Sequence, residues 1–150
     1  MSKQNFYDFA MMMANDSKLL FEANRLHNSV YLGGYVLEAY IKILLLNSGH
    51  QYKEIKQHLG DEKFKVKIKR LLAFYPELFE NSLLFQKNKN IYPKSLFNGG
   101  SNKITEAKWN VNQRYNKNQW SEESFCKEIQ KELENIKKAL IRIQREGILL

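Results

Sequence analysis

Apolar positions recur at helical spacing along most of this chain, and one stretch is apolar on every side. Phe6, Phe9, Ala10, Met13, Leu20 and Ala23 mostly fall at i, i+3, i+4 and i+7, which predicts an amphipathic first helix over about residues 4–26. Residues 29–47 have no polar face, and Asn47-Ser48-Gly49 is a suitable stop for a second helix. A helix that is hydrophobic all round belongs in the centre of a bundle. Two features interrupt its apolar character. Gly33-Gly34 costs roughly 1 kcal/mol per glycine against alanine inside a helix, which predicts close approach of another backbone, with the first helix as neighbour. Glu38 and Lys42 stand about 40° apart on the helix, so an i, i+4 ion pair is natural. Because unpaired buried charge is costly, the pair marks either a structural network or the floor of a site. Tyr31 and Tyr35 share its stripe.

Residues 62–75 fit two templates. Lys63-Phe64-Lys65-Val66-Lys67-Ile68-Lys69 alternates as a strand would, yet Phe64, Ile68, Leu71, Leu72 and Tyr75 share a helical face. No second strand pattern offers a partner, so the segment is assigned as a helix. Pro76 ends it and opens a short helix through about residue 86. Residues 88–105, with Pro93 and Gly99-Gly100 as breakers, read as a loop, and loops of this length are usually functional or disordered. The last helix runs over about residues 122–145. Ser121 is its expected N-cap, Glu122 and Glu123 sit near the positive end of its dipole, and Trp120 with Phe125 occupy staple positions. Phe125, Ile129, Leu133, Ile136, Leu140 and Ile143 form its apolar stripe. The whole predicts an all-α bundle of four to five helices around a buried second helix.

Composition adds bounds. A chain of 150 residues suits one domain over 1–150, and 43% hydrophobic with 13% aromatic residues is enough for a core. The single cysteine, Cys126, excludes an internal disulfide framework and fits a reducing, cytoplasmic setting. The start, Met-Ser-Lys-Gln-Asn, does not resemble a signal peptide. The run 30–46 is 17 residues with two charges, too short and polar for an expected membrane span.

The location of the charge says more than its total of +8. Residues 1–61 and 118–150 are each balanced, at six basic and six acidic side chains, whereas residues 87–117 hold seven basic and one acidic. Such local excess implies an anionic partner: RNA, DNA, nucleotide or acidic protein. A lysine-rich solubility surface is the plain alternative. Tyr92, Phe97, Trp109, Tyr115 and Trp120 interleave with Lys87, Lys89, Lys94, Lys103, Lys108, Arg114 and Lys117. Aromatics among cations suit single-stranded RNA, although Trp109 and Trp120 are expected in the core. There is no Gly-rich phosphate loop, no Cys/His metal spacing and no nucleophile elbow, so no metal and no cofactor is expected.

Several motifs, taken in order, resemble the HEPN domain, a family of small helical bundles. Tyr31, Gly34-Tyr35, Leu37-Glu38 and Lys42 match its aromatic, small-residue, "LE" and lysine pattern in the second helix. Gln57-His58-Leu59 is similar to the step before its third helix. Trp109 with Arg114-Tyr115 looks like the lead into its last helix. The resemblance spans most of residues 5–145. It implies a four- or five-helix bundle, often a two-fold dimer. Members include metal-independent endoribonucleases, toxins paired with antitoxins and phage-defence effectors. Others bind nucleotide or nucleic acid, or partner nucleotidyltransferases. The nucleolytic members carry an arginine, a polar residue and a histidine after four to six intervening residues. Here Arg114 is followed by Tyr115-Asn116-Lys117-Asn118-Gln119-Trp120, with histidines only at 27, 50 and 58.

Metal-free RNA cleavage needs proton transfer at the 2′-hydroxyl and the leaving oxygen, and a cation for the phosphorane charge. Arg114 can grip phosphate bidentately, Tyr115 can hydrogen-bond phosphate or stack on a base, and His58 can act as acid or base. The competing roles are structural: His58 bracing the start of the third helix, and Arg114 paired with Glu38 or a carboxylate of the last helix. Glu38, Lys42, Lys103, Lys108 and Lys117 are the candidate ligand-binding residues. The expectation is a HEPN-like RNA- or nucleotide-binding module of a prokaryotic toxin–antitoxin or defence system. It would lack the usual nuclease motif and form a homodimer without membrane contact, with an antitoxin or nucleotidyltransferase as a further partner. The alternatives are an endoribonuclease using Arg114, Tyr115 and His58, and a protein-interaction or scaffold subunit.

Overall fold

A computed structural model of the chain describes residues 1–59, 61–74, 109, 111–112 and 120–150; for Lys65, Lys69 and residues 71–74 it describes the backbone alone. The short helix expected after Pro76, the loop 88–105, and Tyr92, Phe97, Lys103, Lys108, Arg114, Tyr115 and Lys117 lie outside the described residues.

The described residues are all-α. Four helices, α1 (Lys3–Glu22), α2 (Leu26–Asn47), α3 (Glu62–Phe74) and α4 (Glu123–Arg145), are joined by one 3-10 turn at Tyr52–Glu54, and no strand occurs among these residues. Helix α1 opens on a capping box that the sequence reading did not anticipate: Asn5 N donates to Ser2 Oγ at 3.2 Å and Ser2 N donates to Asn5 Oδ1 at 2.9 Å. The helix stops at Glu22 rather than near residue 26, and Asn24 takes the left-handed conformation (φ 61°), one of the few residues that do so at little cost. The chain therefore turns back at once and α2 begins at Leu26, three residues earlier than the periodicity suggested.

Pairs of contacts fix the helix directions. Lys3 meets Asn47, Phe6 meets Lys42, Phe9 meets Tyr35, and Ser17 meets Ser29, so α1 and α2 run antiparallel along their full lengths. Tyr7 Oη donates to Gln144 Oε1 (2.9 Å), and Gln130 reaches Ser17, so α4 also runs antiparallel to α1. At the other end, Ser17 Oγ donates to the Ser29 carbonyl (2.6 Å), Ser29 Oγ donates to the Ser17 carbonyl (2.8 Å), and the Gln130 amide donates to both hydroxyls at 2.9 Å. This polar network lets the three helices approach through small side chains while both serine hydroxyls keep partners.

Sixteen of the 22 residues of α2 are buried, which confirms it as the central element. The helix is long and apolar enough to cross a membrane, but 83% of its most hydrophobic window is buried against the rest of the chain. Burial within the bundle, rather than the shortness argued for residues 30–46, accounts for its composition. Helix α3 settles the ambiguity of residues 63–69. A strand would place Phe64, Val66 and Ile68 on one face; instead Phe64 and Ile68 are 0% and 2% exposed while Val66 is 49% exposed, as the helical spacing requires. The cap of α4 is Glu122 rather than Ser121, without a side-chain cap bond; Ser124 Oγ donates to Glu122 Oε1 at 2.7 Å.

The glycine pair has neighbours other than the one expected. A Cβ at Gly33 would meet Leu133 of α4 at 3.1 Å, and a Cβ at Gly34 would overlap the indole of Trp109. The two positions lie about 100° apart around α2, facing α4 and the 109–112 segment. Helix α1 instead meets α2 through paired serines, Ser17 and Ser29.

Candidate functional site

One turn of α2 carries the polar centre of the fold. Glu38 and Lys42 are 5% and 6% exposed, and Lys42 Nζ lies 3.6 Å from Glu38 Oε2. That separation is an ion-pair contact rather than a good hydrogen bond. The carboxylate has stronger partners. Leu59 N donates to Glu38 Oε1 at 2.7 Å, and His58 Nδ1 lies 3.1 Å from Oε1 and 3.3 Å from Oε2. A carboxylate only accepts, so Nδ1 is the nitrogen that carries a proton toward it. The ammonium of Lys42 sits 5.8 Å from the ring centroids of both Phe6 and Phe64, each worth about 0.5–2 kcal/mol when desolvated. A buried charge pair is thus held by a main-chain N–H, an imidazole and two aromatic faces from three further parts of the chain.

The loop that delivers His58 is itself pinned. His58 N donates to Asp61 Oδ2 at 3.0 Å, just before α3, and Lys67 Nζ donates from α3 to Gln57 Oε1 at 3.1 Å. Ile55 and Leu59 are buried on either side. The backbone is held at both ends, but the His58 side chain is 44% exposed. With Nδ1 turned inward, Nε2 is the nitrogen left for anything that approaches from outside. The main-chain N–H of His58 meets Asp61 in the lead into the third helix, and its ring joins Glu38, a partner that the sequence had not assigned to it.

Aromatic rings extend the site along α2. Tyr35 meets His58 edge-on at 6.5 Å, Phe9 of α1 edge-on at 6.1 Å and Trp109 edge-on at 5.1 Å. Tyr31 stacks on Trp109 at 5.7 Å, and Trp109 Nε1 donates to the Tyr31 carbonyl at 2.9 Å. The Tyr31 hydroxyl lies 3.3 Å from the Val111 carbonyl, to which it can donate, and 2.9 Å from the Tyr35 hydroxyl, with which it shares a hydrogen bond. Trp109 and Val111 are therefore fastened to α2. Trp109 and Trp120 are core residues, 3% and 5% exposed, with Trp120 stacked on His27 at 4.9 Å.

Of the candidate residues, the structure brings Glu38, Lys42 and His58 into direct contact. Arg114, Tyr115, Lys103, Lys108 and Lys117 lie outside the described residues. The Glu38–His58 contact was not named from sequence. Its signal was the carboxylate itself, which in an otherwise apolar helix has to recruit partners from elsewhere.

Cys126 is fully buried, its Sγ 3.9 Å from the Trp120 carbonyl, and burial, with the Glu122 carboxylate second, pushes its thiol up. That environment opposes thiolate chemistry. Glu54 is held below the usual carboxylate range, first by the Gln51 N–H that donates to it at 2.9 Å and then by His50; this is a local cap of the 3-10 turn. A groove of about 300 Å³ between α1 and α4 is lined by Lys18, Phe21, Glu22, Lys127, Lys131 and others. Among the described residues no group of three or more His, Cys, Asp or Glu gathers as metal ligands. No family model, characterised protein or solved structure matches the chain.

Proposed function

We propose that this chain is a HEPN-like module that binds RNA or nucleotide in a prokaryotic toxin–antitoxin or defence system, acting as a two-fold dimer. The observation that carries this reading is convergence. Tyr31, Gly34, Tyr35, Glu38, Lys42, His58 and Trp109, which bear the resemblance and span almost eighty positions, belong to one connected cluster. Trp109 and Val111, which join the cluster, belong in sequence to the stretch 87–117 that holds seven basic residues and one acidic one. Cations deliver phosphate affinity and rings deliver stacking, the combination that single-stranded RNA needs.

A second reading, a metal-independent endoribonuclease, draws support from one contact. A histidine held through Nδ1 by a buried carboxylate is fixed in orientation and tautomer, with Nε2 free to exchange a proton with a 2′-hydroxyl or a leaving oxygen. In that reading Arg114 carries the phosphorane charge and Tyr115 orients the phosphate.

Incubation with tRNA and with single-stranded RNA in EDTA, read on a denaturing gel, separates the two. Cleavage that is lost in both Arg114→Ala and His58→Gln assigns the nuclease. Binding without cleavage, weakening steeply with salt, assigns the binding module. Neither cleavage nor binding rejects both and leaves a scaffold role. A monomeric mass at micromolar concentration would remove the dimer.

A further inference from the structure

Among the described helices, α3 has the most one-sided charge. Residues 62–70, Glu-Lys-Phe-Lys-Val-Lys-Ile-Lys-Arg, hold five basic side chains and one acidic one. At 100° per residue, Lys63, Lys67 and Arg70 fall within about 60° of one another around the axis and cover about 10 Å of its length. Phe64 and Ile68 turn to the core, whereas Val66 is 49% exposed, so the outward side of α3 is not covered by the rest of the described chain. Lys63 and Arg70 are exposed. Lys67 is half-buried, its ammonium held by Gln57 Oε1 at 3.1 Å.

Like charges at i, i+3 and i, i+4 weaken a helix, and elsewhere this chain offsets them. Along α4 and its C-cap, carboxylates stand beside the cations: Lys131 with Glu128 at 3.2 Å, Lys137 with Glu134 at 4.0 Å and Arg142 with Glu146 at 3.0 Å. Among the described residues no acidic group pairs with Lys63, Lys67 or Arg70. Asp61 accepts the His58 main-chain N–H. Glu62, the one acid of α3, stands about 80° or more around the axis from each of the three. A surface that serves solubility alone intersperses both signs, as α4 does. A row of cations without carboxylates, drawn out along the helix, suits an extended polyanion rather than one small anion.

We propose that Lys63, Lys67 and Arg70 form a ridge on α3 that binds the phosphate backbone of single-stranded RNA. The inference rests on the RNA-binding reading and deepens it, since it adds a cationic contact separate from residues 87–117. The two lysines supply point charges, and Arg70 at the end of the row can grip a phosphate bidentately. Lys67 is already ordered by Gln57, so it loses less side-chain freedom on binding. Contacts of this kind add affinity and fix register without choosing among bases.

The test is the salt dependence of binding to a fluorescein-labelled oligouridine, followed by anisotropy. It compares the full chain with a Lys63→Gln, Lys67→Gln, Arg70→Gln protein and with a Lys18→Gln, Lys127→Gln, Lys138→Gln protein. The second loses the same charge from exposed positions of α1 and α4. Glutamine keeps the helix propensity, and circular dichroism checks that both fold. Loss of three phosphate contacts lowers the magnitude of the log–log slope by about 2, whereas the α1/α4 triple changes it by less than about 0.7. A Lys63→Arg, Lys67→Arg protein keeps the charge and the wild-type slope. Should the α3 triple unfold, Lys63→Gln and Arg70→Gln singly carry the same test at about 0.7 each. An unchanged slope in the α3 variants, or an equal fall in the α1/α4 triple, overturns the ridge and leaves the RNA-binding reading standing. A wild-type chain that does not bind oligouridine at low salt overturns both.

Discussion

Replacing Gly34 by alanine tests how tightly the 109–112 segment is locked to the central helix. The change removes a mid-helix glycine, which alone should stabilise α2 by roughly 1 kcal/mol. Against that, the new methyl would occupy the space of the Trp109 indole, overlapping its Cε2, Nε1 and Cδ2 atoms. The indole is 3% exposed and donates to the Tyr31 carbonyl at 2.9 Å, so it cannot yield without losing packing and that bond. Overpacking of this kind costs about 1–3 kcal/mol, and a buried donor left unmade costs about 1–3 more. The net is a destabilisation of about 3 kcal/mol, or roughly 6–12 °C in Tm for a chain of this size. Gly33→Ala is the matched control. It has the same helix gain, but the tightest contact of its Cβ is the terminal Cδ1 of Leu133 at 3.1 Å, a flexible end that can shift by tenths of an ångström, with Ile129 Cγ2 and Leu133 Cδ2 at ordinary contact distances of 3.5 and 3.6 Å. Its Tm should stay within about 2 °C of wild type or rise. Thermal unfolding by circular dichroism reads both variants. A Gly34→Ala protein as stable as Gly33→Ala would refute the reasoning, because it would mean that the indole is not seated against α2.

Other consequences are more local. Glu38→Gln leaves Lys42 buried without its carboxylate, and breaking a buried pair from one side costs about 3–5 kcal/mol; Lys42→Met, which leaves Glu38 its Leu59 and His58 partners, should cost clearly less, and the reverse order in urea unfolding would sink the account of this centre. Ile68→Asp should unfold the protein or nearly so while Val66→Asp is tolerated within about 0.5 kcal/mol, whereas a strand would make the two behave alike. The raised Cys126 thiol gives a pH dependence. The unfolded thiol ionises first, near pH 8.5, so the contribution of the thiol is complete below that pH and is lost as the pH climbs toward the folded value. The stability advantage of wild type over Cys126→Ala should therefore shrink between pH 8 and about 10, and an advantage that grows over that range would contradict the burial.

Much of this fold was legible in periodicity, for physical reasons that the individual residues show. The apolar circumference of α2 and the stripe of α4 report burial directly, since few other environments accept Leu37, Ile43 and Leu45 on one helix with Tyr40 and Val36. The alternation at 63–69 misleads only while the backbone is undecided; the absence of a partner strand was the correct arbiter. Helix ends were less legible. Nothing in Ser-Lys-Gln-Asn matches the usual Glu or Gln of a capping box, and Asn24 ends α1 through a left-handed turn that apolar spacing does not encode. The glycine pair announced close packing but not against what, because Trp109 lies 75 positions away in sequence. The Glu38–His58 contact, 20 residues apart across a loop, was hidden for the same reason: sequence declares that a buried carboxylate needs partners and is silent on which loop supplies them.

The central claim is that this module holds RNA through cations of the 87–117 segment, and a salt titration tests it most directly. Affinity for a single-stranded oligoribonucleotide, measured from about 50 to 300 mM salt, should fall linearly on a log–log plot with a slope of about −0.7 per phosphate neutralised. The combined Lys103→Ala, Lys108→Ala and Lys117→Ala protein should bind more weakly and lower the magnitude of that slope by about 2. A slope unchanged by the three substitutions, or no binding by the wild type at the lowest salt, would contradict the account.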